Sequence, residues 1–172
     1  QERMIVATSL CKAFSAGGGV LIFPNSQMRN QVKNCGGPMI FSGPIQPPLL
    51  GAALASARIH LSPEIVRLQK ELQDRVSLCN GLLKKYNLPV ASSSQSPIFY
   101  IKLGLPQVAA NMVKCLLQEG FYTNYAVFPA VPLRQSGVRF TLTRHLSAED
   151  IHALVKAIAR NLPLVLAAEK LT

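Results

Sequence analysis

Lys12 sits in the stretch Thr8-Ser9-Leu10-Cys11-Lys12-Ala13-Phe14-Ser15-Ala16-Gly17-Gly18-Gly19, among small hydroxyl residues and glycines. Met4-Ile5-Val6-Ala7 precedes it and Val20-Leu21-Ile22-Phe23 follows, stopped by Pro24. Both runs are apolar and β-branched and read as buried strands. An ammonium at the mouth of a buried sheet is costly unless it has a partner or is converted. One conversion is a Schiff base with an aldehyde cofactor, which makes the lysine a covalent tether. The plainer reading is a solvated loop lysine, and context must decide between them. Two other stretches bear on that choice. One is the loop Phe41-Ser42-Gly43 before Pro47-Pro48; the other is Phe128-Pro129-Ala130-Val131-Pro132 with Arg139 beyond it.

The elements that would position these groups follow from pattern. Ser26 to Val32 reads as a short helix ending near Asn34 and Gly36-Gly37, and Pro38 to Pro48 as a loop. Leu49 to Ile59 is helical and apolar nearly all round, hence expected to be buried. Ser62-Pro63-Glu64 starts a long amphipathic helix to about Tyr86, either continuous with the previous one or kinked at Pro63. After Pro89 comes a polar loop, Ala91 to Ser96, then a strand Ile98–Ile101 and a helix Pro106–Glu119 closed by Gly120. Two strands follow, Phe121–Val127 and the alternating Val138–Thr143. Ser147-Ala148-Glu149-Asp150 resembles a capping box opening a last helix.

The chain has 172 residues, 49% hydrophobic and 15% charged, which describes a core-forming globular chain. The net charge of +10 invites a nucleic-acid reading. The basic residues are scattered, however, and no basic stripe interleaves with aromatics, so no nucleic-acid partner is expected. No apolar run approaches the roughly 18 residues of a membrane span, and no signal peptide is visible. The start on Gln1-Glu2-Arg3 and an apolar strand suggests the C-terminal part of a longer protein. The cysteines at 11, 35, 79 and 115 lack metal-ligand spacing, so no metal is expected. Three of them read as buried apolar residues, which fits a reducing, cytoplasmic compartment.

Taken together, the motifs resemble, in order and over nearly all of 1–172, the C-terminal half of the α-oxoamine synthases. These are fold-type-I pyridoxal-phosphate enzymes that include 8-amino-7-oxononanoate synthase, glycine C-acetyltransferase and serine palmitoyltransferase. Thr8 to Phe14 resembles the family's cofactor-lysine segment, Ile40 to Pro48 its aromatic-Ser/Thr-rich-Pro loop, and Phe128–Pro132 with Val138–Thr143 its proline loop and Arg-bearing strand.

The resemblance implies an α/β fold: the C-terminal part of an aspartate-aminotransferase-like fold. It would comprise a remnant of the large cofactor-binding domain over 1–60 and a small C-terminal α+β domain over 61–172. The first contains the end of the large-domain sheet; the second has about three antiparallel strands with helices on one face. It further implies pyridoxal 5'-phosphate as cofactor, Lys12 as the internal-aldimine lysine and mover of protons at the substrate Cα, and Ser9 at the cofactor phosphate. Ser42 and the Gly43 amide would approach the phosphate of the neighbouring subunit in a homodimer, and Arg139 would hold the substrate carboxylate. The reaction implied is condensation of an amino acid with an acyl-CoA, usually with loss of CO₂. An aminotransferase of the same fold, or a non-catalytic basic interaction module, are the competing readings.

Other readings of the same residues stay open. Ser9 and Ser42 are also suited to satisfying turn amides, and Arg139 to a surface ion pair. His60, His145 and His152 match no family site and read as surface or helix-end histidines. Many relatives carry further Ser or Thr where this chain has Gly43-Pro44-Ile45. The family's ring-stacking His, the Asp that pairs with the pyridine nitrogen and much of the acyl-CoA site precede the cofactor lysine. The resemblance therefore implies that residues 1–172 alone bind the cofactor poorly and do not turn over. The choice of amino acid and acyl chain is not encoded in these motifs.

Overall fold

The computed structural model describes residues 3–91 and 95–169. The start of the chain at Gln1-Glu2 and the centre of the polar loop expected over 91–96 lie outside the described residues. The chain divides into two compact units, Gln1–Ile65 and Val66–Thr172.

In the first unit, β1 (Val6–Ser9) and β2 (Gly19–Ile22) form a two-stranded antiparallel ribbon, with Val6 opposite Ile22 and Ser9 opposite Gly19. Three helices follow: α1 (Ser26–Cys35), α2 (Gly37–Phe41) and α3 (Pro47–His60). The Asn25 side chain caps α1 by accepting from the Met28 N–H at 2.8 Å. Helix α2 occupies what the prolines and glycines marked as loop. Pro38 falls in its first turn, where a missing N–H costs nothing, and the Ser42 N–H bonds back to the Pro38 carbonyl at 3.1 Å. Pro47-Pro48 opens α3 for the same reason.

Burial in this unit departs from expectation. All eight residues of β1 and β2 are exposed, and of α3 only Ala53 is buried, with Leu50, Leu54 and Ile59 exposed. A two-stranded ribbon covers neither of its own faces, and apolar sequence alone cannot bury a strand without a layer above it. Leu10 and Ala53 are the buried residues among those described here.

The second unit is a three-stranded antiparallel sheet in the order β3-β5-β4, from β3 (Ile98–Gly104), β4 (Asn124–Ala126) and β5 (Ser136–Thr141). Helices α4 (Glu64–Lys85), α5 (Pro106–Gln118) and α6 (Ala148–Glu169) supply the rest. Helix α4 begins beyond the end of α3 at His60, so the two are separate helices. The Ser62 hydroxyl accepts from the Glu64 N–H at 3.2 Å, as its position before Pro63 leads one to expect. Period-two alternation sends Phe99, Ile101 and Leu103 of β3, and Val138 and Phe140 of β5, to one face. There they form one core with Val76, Cys79 and Leu83 of α4, Met112 and Leu116 of α5, and Ile151, Val155 and Ile158 of α6. The cross-strand rings of Phe99 and Phe140 stack with centroids 5.2 Å apart.

Ser147 and Asp150 make the anticipated capping box. The Ser147 N–H donates to Asp150 Oδ2 at 2.9 Å, and the Asp150 N–H donates to the Ser147 hydroxyl oxygen at 3.0 Å. Helix α6 is also, over Ala148–Ala168, long and apolar enough to cross a membrane, which inspection of unbroken apolar runs did not show. Its Ile151, Val155, Ile158 and Val165 are spent on the core described above. The cysteines are less buried than expected: Cys79 alone is buried, Cys115 is half-buried, and Cys11 and Cys35 are exposed.

Candidate functional site

The segment between β1 and β2 is a closed loop. The Leu10 N–H donates to the Gly18 carbonyl at 3.0 Å, and the Ala16 N–H to the Leu10 carbonyl at 2.9 Å. Inside it, the Ser15 N–H donates to the Lys12 carbonyl at 2.9 Å, so Lys12-Ala13-Phe14-Ser15 is a hydrogen-bonded turn. Lys12 is exposed, and its ammonium has no hydrogen bond or ion pair among the described residues. The Ser9 hydroxyl oxygen accepts from the Cys11 N–H at 3.2 Å, which leaves its O–H free to donate. Ser9 and Lys12 therefore share one end of one loop, with a free primary amine and an available hydroxyl.

That loop lies against α3. A Cβ on Gly17 would stand 2.5 Å from Leu49 Cδ1, and one on Gly18 would stand 3.5 Å from Ile45 Cδ1. Ser42 and Gly43 are exposed residues just after α2. Ser42 ends that helix through its backbone N–H, and nothing lies within 4 Å of a Cβ built on Gly43. The Ser42 hydroxyl is thus not consumed by the turn.

Arg139 belongs to the second unit, at the centre of β5 on the face that carries no helices. Tyr100 of β3 stands opposite it on one side and Asn124 of β4 on the other. Its guanidinium is exposed and unpaired among the described residues, so the surface ion pair considered for it is not formed there. Two features beside Arg139 escaped the sequence reading. Tyr100 shares its face, and the Tyr100 hydroxyl, whose pKa partial burial raises, donates to the Gln135 carbonyl at 2.7 Å. Strand alternation alone would have placed Tyr100 there. The second is a cavity of about 510 Å³ lined by Thr123, Asn124, Arg139, Thr141 and Leu154, among others. Thr123, one of its lining residues, is buried, and its Oγ1 has no hydrogen-bond partner among the described residues. No sequence signal marks it, because it arises where Gly120–Thr123 diverges from β5. No group of His, Cys, Asp and Glu that could hold a metal occurs among the described residues.

In the first unit, a free lysine amine on a closed turn with a hydroxyl three residues before it is suited to holding an aldehyde and an oxyanion; in the second, a planar cation on an open sheet face is suited to holding a carboxylate. The family Aminotransferase class I and II matches residues 1–158, and the chain belongs to that family. Among curated relatives, the putative 8-amino-7-oxononanoate synthase of Desulfovibrio desulfuricans is 30% identical over 164 residues, covering 92% of this chain and 41% of that protein. The crystal structure of 8-amino-7-oxononanoate synthase from Francisella tularensis superposes with a TM-score of 0.78 at 21% identity, covering 94% of this chain and 46% of the other. A serine palmitoyltransferase from S. paucimobilis, described with bound PLP-myriocin aldimine, superposes at 0.83 and 20% identity, covering 95% and 40%. The fold is thus the C-terminal part of the aspartate-aminotransferase-like α/β fold that the motifs implied. The chain spans about two fifths of the length of the curated relatives it matches.

Proposed function

We propose that the protein, at full length, is a pyridoxal-phosphate-dependent C-acyltransferase that condenses an amino acid with an acyl-CoA. The observation that carries this reading is the free amine of Lys12 on a hydrogen-bonded turn beside Ser9, in a chain of the aminotransferase class I and II family. The relatives named 8-amino-7-oxononanoate synthase favour acyl transfer over transamination.

The residues present fit the cofactor. Lys12 would anchor it, and the Ser9 hydroxyl would donate to its phosphate. Bound there, pyridoxal phosphate supplies an aldehyde for a primary amine and a ring that stores the electron pair of a substrate carbanion. Lys12 would then move the proton at the substrate Cα. Arg139 would hold the substrate carboxylate through two parallel N–H donors. Ser42 and the Gly43 amide would reach the phosphate of the neighbouring subunit in a homodimer. Residues 1–60 would be the end of the large cofactor-binding domain and 61–172 the small domain. The cytoplasm is the proposed compartment, since all four cysteines are free.

The test is thiol release by the full-length protein with a panel of amino acids and acyl-CoAs. The proposed activity releases free CoA thiol only when both substrates are present, and Arg139→Lys lowers kcat/KM for the amino acid by about 10²-fold. Amino-group transfer to a 2-oxo acid without thiol release would establish the aminotransferase instead.

A further inference from the structure

His60 does more than end a helix. Its ring lies parallel to that of Phe14, with centroids 4.6 Å apart and planes 9° from each other. Phe14 is the third residue of the turn Lys12-Ala13-Phe14-Ser15, which is closed by the Ser15 N–H to Lys12 carbonyl bond. His60 is itself fixed. Its Nδ1 lies 2.8 Å from the Ser56 carbonyl oxygen, which can only accept, so Nδ1 carries the hydrogen and the ring plane is set by α3. The loop that contains the lysine turn is therefore attached to α3 at two places: Gly17 against Leu49 near the helix start, and Phe14, within the turn, against His60 at its last residue.

This attachment has consequences for the amine. A two-stranded ribbon is marginal by itself, and the loop it carries would otherwise sample many arrangements. A stacked aromatic pair is directional and adds to the area it buries. Anchoring Phe14 constrains the backbone two residues away at Lys12, and so the volume its Nζ can reach.

We propose that His60 is a positioning residue for Lys12, acting through Phe14. The proposal rests on the reading of Lys12 given above for its functional meaning, and on the stack alone for its structural content.

The test uses the full-length protein carrying His60→Ala, His60→Phe, Phe14→Leu and the His60→Ala/Phe14→Leu double substitution. Hydrogen exchange of peptides spanning residues 10–18 is measured together with retention of added pyridoxal phosphate. In His60→Ala and Phe14→Leu, exchange over 10–18 accelerates about three- to tenfold, the range an aromatic pair's contribution sets, while exchange in α1 stays unchanged. The double variant is no worse than either single, because both remove one interaction. His60→Phe, which keeps the ring, stays within about twofold of the unsubstituted protein. Unchanged exchange over 10–18 in His60→Ala, equal acceleration in α1, or a His60→Phe variant as defective as His60→Ala would overturn the proposal. If no variant, nor the unsubstituted protein, retains the cofactor while the exchange contrast persists, the positioning role stands and the reading of Lys12 falls.

Discussion

Tyr100 stands directly across the sheet from Arg139, and its ring passes over Gly137, two residues earlier on the same strand. A Cβ on Gly137 would lie 2.9 Å from Tyr100 Cζ and 2.1 Å from the Ile101 carbonyl oxygen. The second contact is with backbone, so no rotamer change relieves it. Gly137 is what lets β3 and β5 pair closely enough to hold Arg139 in register between Tyr100 and Asn124.

Gly137→Ala is accordingly expected to cost the fold more than about 2 kcal/mol, since overpacking against backbone cannot be absorbed locally. Thermal unfolding of the full-length protein checks this. A melting temperature unchanged to within a degree would mean that the β3–β5 pair is looser than described here.

Stability should fall in acid through two named carboxylates. Glu119 is held below the ordinary carboxylate value by the Asn161 side-chain amide, which donates to it at 2.7 Å, and then by Arg160. Asp150 is lowered by the Ser147 backbone N–H and then by the Ser147 hydroxyl. A lowered folded value means stabilisation that is present above the unfolded pKa and is lost as pH falls through the folded one. Both groups are exposed, so the effect is modest. Melting temperatures between about pH 5 and pH 3 should decline less steeply in Glu119→Gln and in Asp150→Asn. Slopes equal to the unsubstituted protein's would contradict these assignments.

Cys79 is fully buried in the core, and burial pushes its thiol up to about 12. The thiolate is the reactive form, so Cys79 should resist a thiol reagent at pH 8 until the unit unfolds. Mass mapping of labelled peptides with and without denaturant gives the answer. Labelling of Cys79 as fast in the native protein as in denaturant would place it outside the core.

Much of the small unit was legible in the sequence because its signals are local. The three- and four-residue recurrence of Leu72, Val76, Cys79 and Leu83, the stop at Gly120 and the Ser147/Asp150 box each depend on residues within one or two turns. The alternation around Arg139 likewise fixed its face. What escaped was set by distant partners. Whether Val6 or Val20 is buried depends on a layer that no strand pattern contains. That Phe14 meets His60 depends on the hydrogen-bonded closure of a loop against a helix 46 positions on, as does the contact of Gly17 with Leu49. Helix α2 over Pro38 was missed for a different reason: a proline near a helix start looks, in sequence, like a proline in a loop.

The most direct test concerns the amine itself. Pyridoxal phosphate is added to the full-length protein, the adduct is reduced with borohydride, and the digest is mapped by mass spectrometry. A phosphopyridoxyl group is expected on the peptide containing Lys12, at that lysine. Modification at another lysine such as Lys84 or Lys85 alone, or at none, would contradict it.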